Sequence, residues 1–354
     1  MTGRGIDQIL PNPGKPLLYE LVVTDARNYV RLGEIVNGPL SRPVSFGYIW
    51  GDALKELDKF APDFRIINLE TAVTRSDTPW PNKEVLYRMN PENIGCLKAA
   101  GIDCCTLANN HLLDWGYEGL KETLHSLKKV KIKYAGAGLR LEEAQQPAIL
   151  DKAQLSDRVL VFALGSVTSG VPYQWAAGEN KAGVNLLSDF SSNTRRCLID
   201  NILKNKREND FAVLSIHWGS NWGYEISSSQ KEFAHELIDA GIDIIWGHSS
   251  HHVRAVEIYK GKPVLYGCGD FFNDYEGIGG YEEFRGDLSL MYFVTLEKAK
   301  PVKLQMIPMQ IKKFRLNRAG KKESGYLHDL LNREGIPFGT KFSLNPDGSI
   351  SAQG

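Results

Sequence analysis

No apolar run in this chain approaches the roughly 18 residues that a membrane helix needs, which excludes a helical membrane span within these residues. The opening residues, Met1-Thr2-Gly3-Arg4-Gly5, lack the apolar region of a secretory signal, so the chain as written is expected to be cytoplasmic. Net charge is missing as well. Lys+Arg and Asp+Glu both number 42, which leaves no field to draw in nucleic acid or an anionic membrane surface. Any anionic substrate must therefore be gripped by local groups. Cysteine is sparse: Cys96, Cys104, Cys105, Cys197 and Cys268 contain no Cys-x-x-Cys pair, which argues against a disulfide framework and for free thiols. The 354 residues show no internal repeat, no low-complexity tract and no long linker. What is present is a globular composition, 42% hydrophobic and 24% charged, sufficient for a large core.

Residues 1–45 read as irregular because five prolines, from Pro11 to Pro43, interrupt them. A helix is expected over Phe46–Phe60, with Ile49, Ala53, Leu54 and Leu57 on one face. Further helices are expected over Glu92–Ala100, Tyr117–Lys129, Ser191–Lys206 and Ser229–Ala240. Strands are expected over Ile132–Ala137 and Arg158–Ser166, with a hairpin over Val253–Tyr259 and Lys262–Gly267 turning at Gly261. Two long strands, Asp287–Glu297 and Val302–Leu316, follow. A tail with one helix should end in a frayed segment. Early βα alternation followed by consecutive strands predicts two sheets packed face to face with helices outside.

Four segments share one build, an apolar run ending in groups able to hold a metal. They are Arg65-Ile66-Ile67-Asn68-Leu69-Glu70, Cys105-Thr106-Leu107-Ala108-Asn109-Asn110-His111, Val213-Leu214-Ser215-Ile216-His217 and Ile242-Asp243-Ile244-Ile245-Trp246-Gly247-His248-Ser249-Ser250-His251. Short runs rich in Ile, Val and Leu read as buried strands. In α/β sheets the carboxyl ends of such strands border the ligand crevice. Glu70, Asn110, His111, His217, His248 and His251 are therefore expected around one pocket. Imidazole, carboxylate and amide oxygen together suit a divalent ion of the Mn, Fe or Zn class.

Within this set, Gly247 permits a tight turn that lets His248 and His251 face one point. Three of the eight histidines (His248, His251 and His252) fall within five positions, too many for an incidental polar turn. The amide of Asn110 is a candidate ligand, which leaves His111 as general acid with Asp114 setting its tautomer; the bland alternative is an Asn cap beside a surface histidine. Glu70 is placed to bridge two ions. Trp218 is a candidate pocket wall, against an equal case for packing. Cys268, between two glycines and close to Asp270, is a candidate nucleophile or acid/base, although a small residue in a tight turn explains it as well. Arg88, Arg254 and Arg285 are candidates for gripping a carboxylate or phosphate. The polar loop Thr74–Lys83 is expected to face substrate.

In order and spacing, Asn68-Leu69-Glu70, Leu107-Ala108-Asn109-Asn110-His111, Ser215-Ile216-His217-Trp218-Gly219 and Gly247-His248-Ser249-Ser250-His251 resemble the CapA-type capsule or poly-γ-glutamate synthesis proteins of the calcineurin-like metallophosphoesterase superfamily. The resemblance runs from Met1 to about Arg315. It implies an α/β fold, a four-layer α/β/β/α sandwich of two mixed sheets over residues 1–316, with 317–354 as a helical extension. It further implies that Glu70 bridges two ions, that Asn110, His217 and His248 hold one, that His251 and an early aspartate hold the other, and that His111 protonates the leaving group. That family opens with a strand ending in Gly-Asp-x-Met-x-Gly-Arg. This chain begins Met1-Thr2-Gly3-Arg4, so the strand and its aspartate are absent from the sequence as given. A gap beside the strand ending at Glu70 and weak anchoring of residues 1–16 are expected. One tight ion is expected, with a second if the missing segment were restored; Asp25 is a candidate substitute for the lost aspartate, although its context, Val22-Val23-Thr24-Asp25-Ala26-Arg27, lacks the glycine.

Three functions follow as expectations. The leading one is a CapA-like protein of capsule or poly-γ-glutamate synthesis with a metal-assisted hydrolase site for a phosphoester or amide, working beside the capsule-synthesis machinery on an anionic small molecule, peptide or polyglutamate. The second is metal-independent acid/base chemistry, such as epimerisation, using Cys268 and a histidine. The third is a non-catalytic assembly or transport factor that binds the polymer through arginines such as Arg88 and Arg254.

Overall fold

A computed structural model describes residues 1–297 and 302–353. Its early elements are helix α1 (Arg27–Asn37), helix α2 (Ala53–Phe60), strand β1 (Ile66–Asn68), strand β2 (Cys104–Thr106), helix α3 (Gly116–Lys129) and strand β3 (Lys133–Ala135). Then come strand β4 (Val159–Ser166), helix α4 (Ser192–Asn205), strand β5 (Phe211–His217), helix α5 (Ser228–Asp239), strand β6 (Ile244–His248), and the hairpin β7 (Val256–Tyr259) and β8 (Lys262–Leu265). Strand β9 (Leu288–Thr295), strand β10 (Lys303–Ile311), helix α6 (Lys321–Gly335) and the closing strands β11 (Lys341–Leu344) and β12 (Ile350–Gln353) complete the chain.

The elements assemble into a mixed α/β protein with three principal sheets. β1, β2 and β3 form a small parallel sheet with β2 in the middle. The large sheet has β4, β5, β6 and β8 parallel, with β7 antiparallel at one side. The third sheet is antiparallel, in the order β9, β10, β12, β11. Buried runs explain the central strands: from Ala212 to His217, β5 has no exposed position, as a strand covered on both faces requires. The α3 face follows the helical period, burying Leu120, Leu124 and Leu127. A capping box between Ser227 and Gln230 starts α5, which satisfies the first free amides of the helix. The small and large sheets meet where the Ser215 hydroxyl on β5 donates to Thr106 Oγ1 on β2 at 3.0 Å.

Several elements differ from the sequence expectation, each for a local reason. The helix over Phe46–Phe60 is only Ala53–Phe60, preceded by a 3₁₀ turn at Tyr48–Trp50. Gly51 breaks it with φ +48°, and a Cβ there would lie 2.1 Å from the Leu316 carbonyl. The long strand to Leu316 stops at Ile311 because Lys313 and Phe314 both turn left-handed, and pairing resumes at Leu316–Arg318. Residues 27–37 form α1 inside the stretch read as irregular, closed by Gly38. The C-terminal segment does not fray. β11 and β12 extend the antiparallel sheet, and Leu327, Leu331, Phe342 and Ile350 are buried in one cluster with Val256 and Leu290.

Residues 1–10 are firmly anchored, contrary to expectation. The Met1 amine donates to the Phe272 carbonyl at 2.9 Å. Arg4 is buried and donates two hydrogen bonds to Asp274, at 2.9 and 2.7 Å. The guanidinium also lies 3.6 Å above the Tyr29 ring and 4.4 Å from the Tyr87 ring centre, an arrangement that favours a buried cation. The expected gap is nevertheless present. Among the described residues β1 pairs only with β2, and β9 only with β10. The free edges of β1 and β9 border one cavity of about 600 Å³, lined also by Met1, Val213 and Trp246.

Candidate functional site

Register decides the heart of the cleft. β5 and β6 are parallel neighbours with His217 directly opposite His248, so two imidazoles at the strand ends lie side by side. Their Nδ1 atoms approach to 2.6 Å. His217 Nε2 lies 3.0 Å from Asn110 Oδ1 and 3.9 Å from Glu70 Oε1. On the far side, His248 Nε2 is 2.7 Å from the Ser215 hydroxyl. A polar chain thus runs Asn110, His217, His248, Ser215, Thr106 through buried surroundings. Burial drives the His217 imidazole well below its ordinary value, helped by His248, and pushes His248 down to about 3. Both rings are neutral at physiological pH, the form that ligates metals.

β1 and β2 deliver the carboxylate, the amide and the proton carrier. Asn109, which sequence reasoning passed over, locks the two strand ends together. Its amide donates to Asn68 Oδ1 and the Leu69 carbonyl, each at 3.0 Å, and its oxygen accepts from His111 N at 3.1 Å. Asn68 in turn donates to Glu70 Oε2 at 3.0 Å. The Glu70 carboxyl is raised to about 7, first by burial and then by the Asp270 carboxylate. His111 Nδ1 is 2.7 Å from Asp114 Oδ2, which also accepts from Tyr87 N at 2.7 Å. Burial holds His111 neutral, reinforced by the positive Lys83. Asp114 is pushed up to about 7 by burial, against the pull of Lys83 3.3 Å away.

His251 sits on the opposite wall, paired with Asp270 at 3.1 Å and 3.4 Å from the Tyr275 hydroxyl. Burial pulls this imidazole down, but Asp270 outweighs it and the net shift is upward. The His251 charge acts on Glu70, His111 and His217 alike, which places it in the same cleft. Asp270 was visible in sequence only as the end of the Gly-Cys-Gly-Asp turn, and Lys83 only as the end of a polar loop.

The donors fit a divalent cation in kind and only partly in position. Glu70 and Asn110 lie on the Nε2 side of His217, whereas His248 meets its Nδ1. The ring therefore splits the four groups expected around one ion. Among the described residues, no group of three or more His, Cys, Asp or Glu side chains is arranged to hold a metal. The fit is confined to a three-donor set, Glu70 Oε1, Asn110 Oδ1 and His217 Nε2. His251 Nδ1 faces Asp270, and its Nε2 lies 3.4 Å from the Tyr275 hydroxyl. Asp25 is held by Arg27 at the start of α1, at 2.9 and 3.1 Å.

Other candidates lie elsewhere. Trp218 is fully buried, stacked on Tyr266 at 6.1 Å and donating to the Tyr266 carbonyl at 3.0 Å, so it packs the core and does not wall the cleft. Arg88 braces the Thr74–Lys83 loop, lying 3.8 Å over Trp115 and donating to Ser76 O, Asp77 and Lys15 O at 2.6 to 2.9 Å. Arg285 pairs with Asp287 at 2.7 Å. Cys268 is buried and lines the cavity between β1 and β9; burial drives its thiol far above the ordinary range, which leaves no thiolate for nucleophilic work. Arg254 is buried beneath Gly219.

Comparison with known proteins places this arrangement. The profile of the bacterial capsule synthesis proteins (PGA_cap) matches residues 1–275. The chain belongs to that family. It is 44% identical over 353 residues to a probable polyglutamine synthesis accessory protein of Mycobacterium tuberculosis, covering 98% of this chain and 92% of that one. The PGA biosynthesis protein CapA of Bacillus subtilis is 31% identical over 216 residues, 60% of this chain and 54% of its own length. The capsule biosynthesis protein CapA of Bacillus anthracis is 28% identical over 197 residues, covering 54% and 45%. The match ends close to Tyr275, so it includes every cleft residue described above. No helix among the described residues is long and apolar enough to cross a membrane.

Proposed function

We propose that this family member serves capsule or polyglutamate synthesis as an accessory hydrolase, cleaving a phosphoester or amide in an anionic substrate. The observation that carries the reading is the His111–Asp114 pair at 2.7 Å, in one cleft with Glu70, Asn110 and His217. Asp114 fixes the Nδ1 side of His111 and leaves Nε2 facing the cleft; once Nε2 has taken a proton from the attacking water, the imidazolium paired with Asp114 can pass it to the leaving group. The site would hold a divalent cation through Glu70, Asn110 and His217, and such an ion lowers the pKa of water and polarises the scissile group. His248, neutral and hydrogen-bonded to His217, orients that ring from behind. The same reading makes the small and antiparallel sheets one layer facing the large sheet, with helices on both outer faces. The Ser215–Thr106 hydrogen bond supports that four-layer arrangement.

The deciding experiment measures metal content and turnover together. Dialysed protein supplied with Mn, Fe or Zn is expected to retain one ion tightly, to lose it in His217→Ala and to keep most of it in His251→Ala. With a chromogenic phosphodiester and a γ-glutamyl amide as substrates, His111→Ala should lower turnover by about 10²- to 10⁴-fold, the range of general acid catalysis. Metal retained with no turnover of either substrate would favour a non-catalytic polymer-binding factor. Chemistry through Cys268 is not proposed, since its thiol is buried.

A further inference from the structure

Three times this chain passes from a helix into a parallel strand through the same turn. The turns are Gly101-Ile102-Asp103, Lys131-Ile132-Lys133 and Gly241-Ile242-Asp243, and their first residues have φ of +60°, +61° and +108°. In each, the first amide donates three residues back and the second five residues back, as Ile132 N does to the Leu127 carbonyl at 3.1 Å. The third amide donates to the start of the neighbouring strand, at 2.9 Å in all three. A left-handed residue at a helix end favours glycine. The aspartate has a partner there too: Asp103 accepts from Arg65 N and Asp243 from Ala212 N, each at 2.8 Å. The middle turn has lysine at both positions. Lys131 stands where the backbone favours glycine, and Lys133 where a carboxylate would cap the next strand, so local structure accounts for neither.

Both lysines line a cavity of about 340 Å³, together with Lys98 and Lys152. None of the four makes an ion pair among the described residues. Lys128 and Lys129 continue the positive surface along the last turn of α3, and no acidic residue occurs between Glu122 and Glu142. Two carboxylates, Asp103 and Asp151, also line the cavity, which leaves positive charge in excess. β1, β2 and β3 are parallel, so this cavity, at their starts, lies at the opposite edge of the small sheet from Glu70 and Asn110. No apolar side chain that lines it is exposed, which argues against insertion into lipid. The Phe64 ring is covered by the Lys152 ammonium, 5.2 Å from its centre, and offers no bare face for a nucleic-acid base. Unpaired ammonium groups around a hollow suit a flexible chain of carboxylates. We propose that the lysine-lined cavity is a docking surface for an acidic polypeptide, which it holds on the protein independently of the cleft. This assignment rests on the capsule or polyglutamate reading for its role and on charge alone for its chemistry.

The test follows the fluorescence anisotropy of labelled α-linked and γ-linked glutamate oligomers added to the full chain, at low and at physiological salt. Both oligomers should bind, and more weakly at the higher salt. Lys131→Gly combined with Lys133→Asp restores the turn seen at Gly101 and Gly241. That variant should melt no lower than the native chain and should bind both oligomers at least tenfold more weakly. Lys98→Ala combined with Lys152→Ala should weaken both several-fold and guards against a failure of the first variant to fold. His111→Ala should leave oligomer binding unchanged, which separates this surface from the hydrolase reading, whose failure would appear in turnover alone. Binding lost in His217→Ala but kept in both lysine variants would place the polymer in the cleft and overturn the proposal. Tighter binding of a single-stranded oligonucleotide of equal charge, or of phosphatidylglycerol vesicles, would overturn the polypeptide assignment. No saturable binding of either oligomer, or affinity unchanged in both lysine variants, would overturn the surface altogether.

Discussion

Glu70 shows what burial does to a single group in this cleft. Its carboxyl is raised to about 7, while in the unfolded chain it ionises near the ordinary value of about 4.3. Between those values the folded state holds a proton that the unfolded state has released. Stability from this residue is therefore full below about pH 4.3, declines as pH rises to about 7, and stays low above it. A shift of this size corresponds to about 4 kcal/mol. Glu70→Gln keeps an acceptor for the Asn68 amide and removes the charge. In metal-free protein the variant should match the native melting temperature near pH 4 and exceed it at pH 8, as thermal unfolding at the two pH values will show. An equal gap at both would mean that water or another group solvates the carboxylate. The neutral His217 and His248 carry a second consequence. Burial keeps both unprotonated far below the usual imidazole range, so they do not cause metal affinity to fail below about pH 6.5, as unperturbed imidazoles would. Loss of metal near pH 7 would instead report protonation of Glu70.

At the level of elements, the cavity between the free edges of β1 and β9 is the feature with most consequence. Leu69 N donates to the Thr106 carbonyl at 3.0 Å. By the alternation of strand hydrogen bonding, the backbone groups of Ile66 and Asn68 then face away from β2 and into the gap. On β9, Ile311 N donates to the Asp287 carbonyl at 2.8 Å, which sets Leu290, Tyr292 and Val294 facing away from β10. Two rows of backbone groups thus confront one another across about 600 Å³, and unpaired strand edges are both costly and prone to association. A chain lengthened before Met1 by an apolar, strand-forming segment should melt several degrees higher, and the Ile66 and Tyr292 amides should become protected from exchange. Unchanged protection would show that the gap does not accept a strand. The gap was legible from the order of motifs, and so were the strand ends, because Glu70, Asn110, His217 and His248 each close an apolar run. What sequence could not show depended on contacts between distant segments. Gly51 breaks a well-formed amphipathic pattern only because the Leu316 backbone lies against it. Trp218 looks like a wall residue until Tyr266 stacks on it. His251 reads as a lone imidazole in sequence, and only the fold shows Asp270 beside its Nδ1.

For the molecule as a whole, the question is whether the segment after residue 316 is an appendage or part of the structure. The boundary expected there falls inside the short strand Leu316–Arg318, which pairs with β10, and β12 pairs with another part of the same strand. The α6 residues Leu327, Leu330 and Leu331 share one buried cluster with Val256 of the β7–β8 hairpin and with Leu288, Leu290, Leu304 and Met306 of β9 and β10. Asp52, at the start of α2, accepts from Arg318 N at 3.1 Å, so the segment is tied to the N-terminal half as well. Each buried Leu, Ile or Phe side chain contributes about 1.5 to 3 kcal/mol. Several lost at once exceed the whole stability of an ordinary domain, about 5 to 15 kcal/mol. Truncation after Arg318 should therefore yield protein that aggregates or lacks a cooperative melting transition, because it uncovers this cluster and frees an edge of β10. A separate helical extension would leave the cleft intact and the transition unchanged. The comparison is made by calorimetry and by metal retention on the full and truncated chains: a truncated chain that melts cooperatively at the full-length temperature would make residues 317–354 an extension, whereas joint loss of the transition and of metal would make them part of the fold that holds the cleft.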